Sequence, residues 1–128
     1  MRMLLDTHVL LWCLGGDRRL DRKTAALVRS PASDVFYSAA SLWEIAIKSS
    51  LRRKDFRVDL EALLAALRKS GLAELPITAA HAAGVARLPP IHRDPFDRLL
   101  VAQSMAEPMT LLTNDAALGG YWDGVKVV

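Results

Sequence analysis

Met3-Leu4-Leu5-Asp6-Thr7-His8 is the stretch around which the rest of the chain is organised. Its apolar residues end in a carboxylate, so we expect a buried strand over Met3–Asp6 and a helix over His8–Leu14, ended by Gly15-Gly16. A charge at such a junction is costly to bury without a partner. In parallel sheets, ligands bind beyond the carboxyl ends of the strands. Asp6 is therefore the first candidate for a functional residue.

Length and composition indicate one globular domain over residues 1–128. The chain is 52% hydrophobic, which is enough for a core and too apolar for a disordered protein. Its formal net charge of +3 suits an anionic partner such as nucleic acid. The single cysteine, Cys13, excludes an internal disulfide.

The N-terminal segment does not have the pattern of a secretion signal or a membrane anchor. Asp6 interrupts the apolar run, and no small-residue cleavage site follows Leu14. No apolar run reaches the ~18 residues of a membrane span. We therefore expect a cytoplasmic protein with no membrane association.

Strand and helix patterns alternate along the chain, which predicts an α/β fold with a mostly parallel sheet of four to five strands covered by helices on both faces. The expected strands are Met3–Asp6, Asp34–Ser38, Ala73–Ile77, Met109–Thr113 and Val125–Val128. Helical patterns lie between them, with starts expected at Asp21, Ser38 or Ser41, Asp59, Thr78 and Asp94-Pro95.

Three further acidic residues follow strands or begin helices, as Asp6 does. Asp115 follows the fourth strand, while Glu44 and Asp97 lie in the first turns of two helices. In a parallel sheet these positions share one edge, where four carboxylates repel unless they are protonated or bound to a cation. Mg²⁺ and Mn²⁺ prefer oxygen ligands and support phosphodiester cleavage by activated water. The sequence therefore predicts a metal-dependent site.

Each carboxylate also has a purely structural interpretation. Glu44 fits a capping box with Ser41 and an ion pair with Lys48, four residues later. The aspartates fit helix caps or positions that complement a helix dipole. Only their shared position at one edge of the sheet favours the functional interpretation.

Four segments of the chain are informative when taken together, in their order and spacing: Leu4–Trp12, Ser41–Lys48, His92–Leu100 and Leu112–Asp115. They resemble the PIN-domain ribonucleases, specifically the VapC-type toxins of prokaryotic toxin–antitoxin pairs. The resemblance implies a PIN-like three-layer α/β domain with Mg²⁺- or Mn²⁺-dependent endoribonuclease activity toward RNA such as tRNA or rRNA.

The resemblance also implies residue roles, carried over by position. Asp6 and Asp97 match direct metal ligands, Asp115 completes the metal site, and Glu44 holds the metal or orients its water. These four form the implied catalytic quartet. Supporting roles fall to Thr113, Thr7 and Asp94.

A basic cluster after the Glu44 helix predicts contacts to RNA phosphates, with an ordinary solvated face as the alternative. The residues expected to bind RNA are Lys48, Arg52, Arg53, Lys54 and Arg93. The resemblance adds two protein partners: a VapB-type antitoxin, whose helix would lie in a groove, and a second copy of the chain in a homodimer.

Three other functions fit parts of this pattern. An aspartate-nucleophile phosphatase needs a second acid two positions after the first, where His8 stands. A receiver domain needs paired acids before its phosphorylated aspartate, and Asp6 stands alone. A catalytically inactive PIN-fold module that binds RNA or a partner is the remaining alternative, although the presence of all four carboxylates disfavours it.

Overall fold

In this computed structural model, which describes residues 1–51 and 58–128, five parallel strands form one sheet in the order β3-β2-β1-β4-β5. The strands are β1 (Arg2–Leu5), β2 (Asp34–Ser38), β3 (Ala73–Leu75), β4 (Thr110–Thr113) and β5 (Val125–Val127). All pairings are parallel, so the predicted sheet is confirmed at the upper end of its expected size.

Helices cover both faces of this sheet and connect its strands. They are α1 (Thr7–Gly15), α2 (Arg22–Arg29), α3 (Ala39–Ser50), α4 (Leu60–Ser70), α5 (Ala79–Gly84) and α6 (Pro95–Ala106). Short 3₁₀ turns span Val85–Arg87 and Ala116–Gly120. Among the helices in the described part of the chain, none combines the length and apolarity needed to cross a membrane.

The strand β1, which ends just before Asp6, is central and buried on both faces. Met3 and Leu5 pack into one core cluster and Leu4 into the other, as the alternation of side chains along a strand requires. Leu5 is in register with Tyr37 of β2 and Leu112 of β4. The carboxyl ends of these three strands are therefore level, and the residues that follow them meet at one edge.

Most helices begin at the predicted caps. The carboxylates of Asp21, Asp59 and Asp94 each accept hydrogen bonds from backbone N–H groups in the first turn of α2, α4 and α6. The helices α1 and α4 end at Gly16 and Gly71, whose φ angles of 62° and 79° lie in the left-handed region that favours glycine.

The α3 helix begins one turn earlier than a Ser41 cap would place it. Ser38 is the N-cap, and its hydroxyl accepts a hydrogen bond from the Ala40 amide at 3.0 Å. The capping box of Ser41 with Glu44 is therefore wrong. Glu44 lies in the second turn, so its carboxylate does not cap the helix and is available for contacts at the carboxyl ends of the strands.

Candidate metal centre

Asp6 is the N-cap of α1 and is almost fully buried, with 3% of its surface exposed. Its Oδ1 accepts from the Val9 amide at 2.9 Å, and its Oδ2 accepts from the Thr113 hydroxyl at 2.5 Å. Burial raises the pKa of this carboxyl, although both hydrogen bonds oppose the increase. The side chain is thus held rigidly at the end of β1.

Thr113 connects Asp6 to a second acidic residue. Besides donating to Asp6, the Thr113 hydroxyl accepts from the backbone N–H of Asp115 at 3.0 Å. Because Thr113 is the last residue of β4 and is fully buried, this one hydroxyl fixes the ends of two neighbouring strands relative to each other.

The Glu44 side chain reaches the same edge of the sheet from α3, and both of its carboxylate oxygens accept hydrogen bonds. Its Oε1 accepts from the Thr7 hydroxyl at 2.6 Å, and its Oε2 forms an ion pair with Lys48 at 2.6 Å. The Thr7 oxygen also lies 3.0 Å from the hydroxyl of Ser41. The predicted pair with Lys48 is confirmed. With 3% of its surface exposed, Glu44 contributes a fixed charge to the site.

Replacing Thr7 with valine should destabilise the protein, because it leaves a buried oxygen of Glu44 without its donor. We expect the free energy of unfolding to fall by about 1–3 kcal/mol in urea denaturation. Thr7→Ser, which retains the hydroxyl, is the matched control and should lose less. Equal stability of Thr7→Val and wild type would show that the hydrogen bond does not support Glu44.

Asp97 lies in the first turn of α6, beside the N-cap Asp94. Burial raises the pKa of the Asp97 carboxyl to about 7, with further increases from the negative charges of Asp94, Glu44 and Asp6. The Asp94 Oδ1 accepts from the amides of Phe96 at 2.8 Å and Asp97 at 3.1 Å. Asp94 is therefore a helix cap, as predicted, whose charge also acts on Asp97.

Asp115 follows β4 and caps the 3₁₀ turn, with its Oδ1 accepting from the Ala117 amide at 3.0 Å. Its Oδ2 lies 2.8 Å from Nε2 of His92. The same nitrogen lies 3.7 Å from Asp97 Oδ2. One side-chain oxygen or nitrogen of His92, Asp97 and Asp115 is within 4.8 Å of the others. His92 was included in the sequence analysis only as the first residue of the segment His92–Leu100, and these contacts were not predicted.

These side chains surround a cleft of about 300 Å³ at the carboxyl edge of the sheet. All four predicted catalytic residues line it, together with Asp94 and Lys48, while Thr7 and Thr113 support the site through hydrogen bonds. His8, Asn114 and Ala116 also line the cleft and were not predicted.

Of the other predicted RNA-binding residues, only Arg93 falls in the described part of the chain. It is exposed, immediately before Asp94, and does not itself line the cleft. The predictions for Arg52, Arg53 and Lys54 lie outside the described residues.

The donor set fits a hard divalent cation. Asp97 and Asp115 have carboxylate oxygens within 4.8 Å of each other, and Asp6 lines the same cleft without belonging to that close group. Oxygen is the ligand that Mg²⁺ and Mn²⁺ prefer. Burial, and after it the neighbouring negative charges, raises the pKa of Asp97 to about 7. A cation would relieve this repulsion, so the residues could hold such an ion.

Solved structures with the same fold include chains of three toxin–antitoxin complexes. A chain of VapBC2 from Rickettsia felis, bound to a DNA fragment from its promoter, matches with a TM-score of 0.70 at 17% identity, covering 100% of this chain and 98% of that chain. A toxin–antitoxin complex from Klebsiella pneumoniae matches at 0.66 and 19% identity, over 98% and 96% of the two chains. DNA-bound VapBC from Salmonella typhimurium matches at 0.64 and 15% identity, over 100% and 97%.

At these identities the solved structures establish a shared fold. No curated protein sequence matches the chain significantly. The family itself is established by sequence, because the profile of the PIN domain matches residues 3–119, almost the whole chain. As its four sequence segments predicted, the chain belongs to the PIN domain family.

Proposed function

We propose that this PIN domain is a metal-dependent endoribonuclease, the VapC-type toxin of a toxin–antitoxin pair. The observation that carries the proposal is the convergence of Asp6, Glu44, Asp97 and Asp115 on one cleft. Raised pKa values of carboxyl groups in a cleft make them candidates for functional groups, and Asp6 and Asp97 both have raised values. Glu44 and Asp97 are not the caps of their helices, so capping does not explain why they line the cleft.

In this mechanism Asp6, Asp97 and Asp115 would hold Mg²⁺ or Mn²⁺. When bound, such an ion supplies activation of water and stabilisation of the departing oxygen in phosphodiester hydrolysis. Thr113 and the Val9 amide fix the orientation of Asp6. Hydrolysis of this kind needs no covalent enzyme intermediate.

Two acids in the cleft also act through their charge. The Asp97 carboxyl has a pKa of about 7, so it would hold a cation only in its deprotonated form. Glu44, held by Thr7 and Lys48, adds a negative charge that attracts the cation.

Cleavage of RNA by the purified protein tests the proposal directly. We expect discrete fragments with Mg²⁺ or Mn²⁺ and none with EDTA. Cleavage that persists in EDTA would contradict a metal-dependent mechanism. RNA binding without cleavage under any metal would instead favour the inactive binding module.

The proposed substrate is RNA, whose phosphates would be held by positively charged side chains near the cleft. Arg93→Ala should weaken RNA binding without changing sequence preference, and should reduce the slope of log affinity against log salt by about 0.7. Fluorescence anisotropy with labelled RNA would measure this in an Asp6→Asn background, where the RNA stays intact.

Arg68→Ala is the matched control for this experiment. Arg68 is exposed in the last turn of α4. This turn precedes the amino end of β3, whereas the cleft lies at the carboxyl ends of the strands. This variant should bind RNA like the parent. Equal salt slopes for the parent and Arg93→Ala would remove Arg93 from the RNA-binding surface.

The proposal includes a VapB-type antitoxin and a homodimer of cytoplasmic, single-domain chains. It is supported by the shared fold over nearly full length with chains from toxin–antitoxin complexes. Growth arrest on expression of this chain alone, relieved by co-expression of a small neighbouring reading frame, would test the antitoxin. Light scattering of the purified protein would test the dimer.

A further inference from the structure

His92 makes three hydrogen bonds that fix its ring beside the cleft. Its backbone N–H donates to the Tyr121 hydroxyl at 2.8 Å, and its Nδ1 accepts from the Asp94 amide at 3.1 Å. Its Nε2 lies 2.8 Å from Asp115 Oδ2. The ring therefore bridges the cap of α6 and the acid that follows β4.

These contacts select one tautomer of the ring. An amide N–H is only a donor, so Nδ1 must offer its lone pair to Asp94 and carries no hydrogen. The ring hydrogen is then on Nε2, which donates to Asp115. A nitrogen that carries a hydrogen has no lone pair for a metal. If Nε2 also lost its hydrogen, neither ring nitrogen would carry one, and the ring would be an anion beside several carboxylates.

The loop that carries His92 is held by a second set of contacts. The guanidinium of Arg98 donates to the carbonyl oxygens of Pro89 at 3.1 Å and His92 at 3.4 Å, and to the Tyr121 hydroxyl at 3.2 Å. Tyr121 is itself buried. The position of the ring is thus set by the fold as well as by the acids it contacts.

We propose that His92 is a positioning residue. Its Nε2–H donates to Asp115 and so orients that carboxylate for binding a cation, while His92 is not itself a metal ligand. The inference rests on the proposed metal site. It separates the cluster of His92, Asp97 and Asp115 into two oxygen ligands and one supporting ring. Hydrogen-bonding partners of this kind fix the orientation of metal-binding groups and tune their affinity.

His81 provides a matched control, because it has the same chemistry away from the cleft. Its Nδ1 accepts from the Thr78 amide at 3.1 Å, and its Nε2 lies 2.7 Å from Glu107 Oε2. Its partners Thr78 and Glu107 do not line the cleft, whereas Asp94 and Asp115, the partners of the His92 ring, do.

The tautomer can be measured in the metal-free wild type by long-range ¹H–¹⁵N NMR of the imidazole rings. The chain has three histidines, so each can be assigned by substitution. We expect His92 and His81 both to show the pattern of hydrogen on Nε2. A pattern with hydrogen on Nδ1 of His92 would overturn the inference, whether or not the protein binds metal.

Metal affinity tests the positioning role without reference to RNA cleavage. In calorimetric titration with Mn²⁺, His92→Ala should raise the Kd about 10-fold or more. His92→Gln keeps an N–H donor near the position of Nε2 and should recover part of the loss, while His81→Gln should bind Mn²⁺ like wild type. In Mn²⁺-loaded wild type, pulsed EPR should show no coordinated histidine nitrogen.

The outcomes separate this inference from the proposed function. A wild type that binds no Mn²⁺ would overturn both. If wild type binds Mn²⁺, two results would overturn the role of His92 alone and leave the proposed nuclease intact. One is an unchanged Kd in His92→Ala. The other is a coordinated nitrogen in the EPR spectrum that persists in His8→Gln, because His8 also lines the cleft.

Discussion

Asp97→Asn is expected to abolish metal-dependent RNA cleavage and, at the same time, to raise the melting temperature of the metal-free protein at pH 8. The two effects have one cause. Partial burial, and after it the negative charges of Asp94, Glu44 and Asp6, raises the pKa of the Asp97 carboxyl to about 7. At pH 8 its negative charge is therefore present at a cost in stability, and this is also the charge that attracts a cation.

The loss of cleavage should be at least about 100-fold, because loss of an outer-shell partner alone typically costs a metal site 10–100-fold. The gain in melting temperature should be a few degrees, since ~1 kcal/mol corresponds to about 2–8 °C in domains near this size. Calorimetry in EDTA and RNA cleavage in Mn²⁺ would measure the two effects on the same preparation.

Asp6→Asn distinguishes the charge of a cap from its capping function. Asparagine caps helices about as well as aspartate, so α1 should still begin at Thr7 while metal-dependent cleavage is lost. Asp21→Asn, at the cap of α2, is the matched control and should cleave RNA normally. Normal cleavage by both Asp6→Asn and Asp97→Asn would return these aspartates to a structural role.

The meeting of the four carboxylates could be predicted from the sequence because it depends on local patterns and one topological rule. The apolar run that ends at Asp6 is visible in six residues, and Asp115 follows a similar run. Parallel strands place their carboxyl ends at one edge, so the acids that follow them meet. No long-range information was needed.

Features that depend on the path of a loop could not be predicted. His92 and Asp115 are 23 residues apart and joined by a hydrogen bond, but the loop around Pro89-Pro90 has no periodicity that reports where it runs. The start of α3 was likewise ambiguous, because Ser38 and Ser41 both have capping side chains. Ser38 is the cap because β2 continues to this residue and α3 begins directly after it.

The affinity of the protein for Mn²⁺ is expected to fall about tenfold for each pH unit below pH 7. The carboxyl of Asp97, with its pKa of about 7, must lose its proton to bind the cation, so proton and metal compete for one site. Burial also raises the pKa of Asp6, which can only steepen the dependence at lower pH. Calorimetric titration at several pH values would measure the Kd, and buffers of different ionisation enthalpy would count the protons released.

The stability of the metal-free protein should change in the opposite direction to its metal affinity. The pKa of Asp97 rises from its ordinary value of 3.8 in the unfolded chain to about 7 in the folded protein, so between these values the folded state binds more protons. The free energy of unfolding should therefore decrease as pH rises from about 4 through 7. Urea denaturation in EDTA would measure this, and Asp97→Asn should flatten the dependence.

Asp94→Asn offers the sharpest test of this coupling. It retains a side chain that can cap α6 but removes the charge that, after burial, contributes most to the raised pKa of Asp97. The pH at which Mn²⁺ affinity begins to fall should therefore move below 7. A Kd for Mn²⁺ that does not vary between pH 5 and 8 in either protein would mean that Asp97 does not bind the cation. If the affinity begins to fall at the same pH in both proteins, the charge of Asp94 does not affect Asp97, and the raised pKa then depends on burial and on the other two acids.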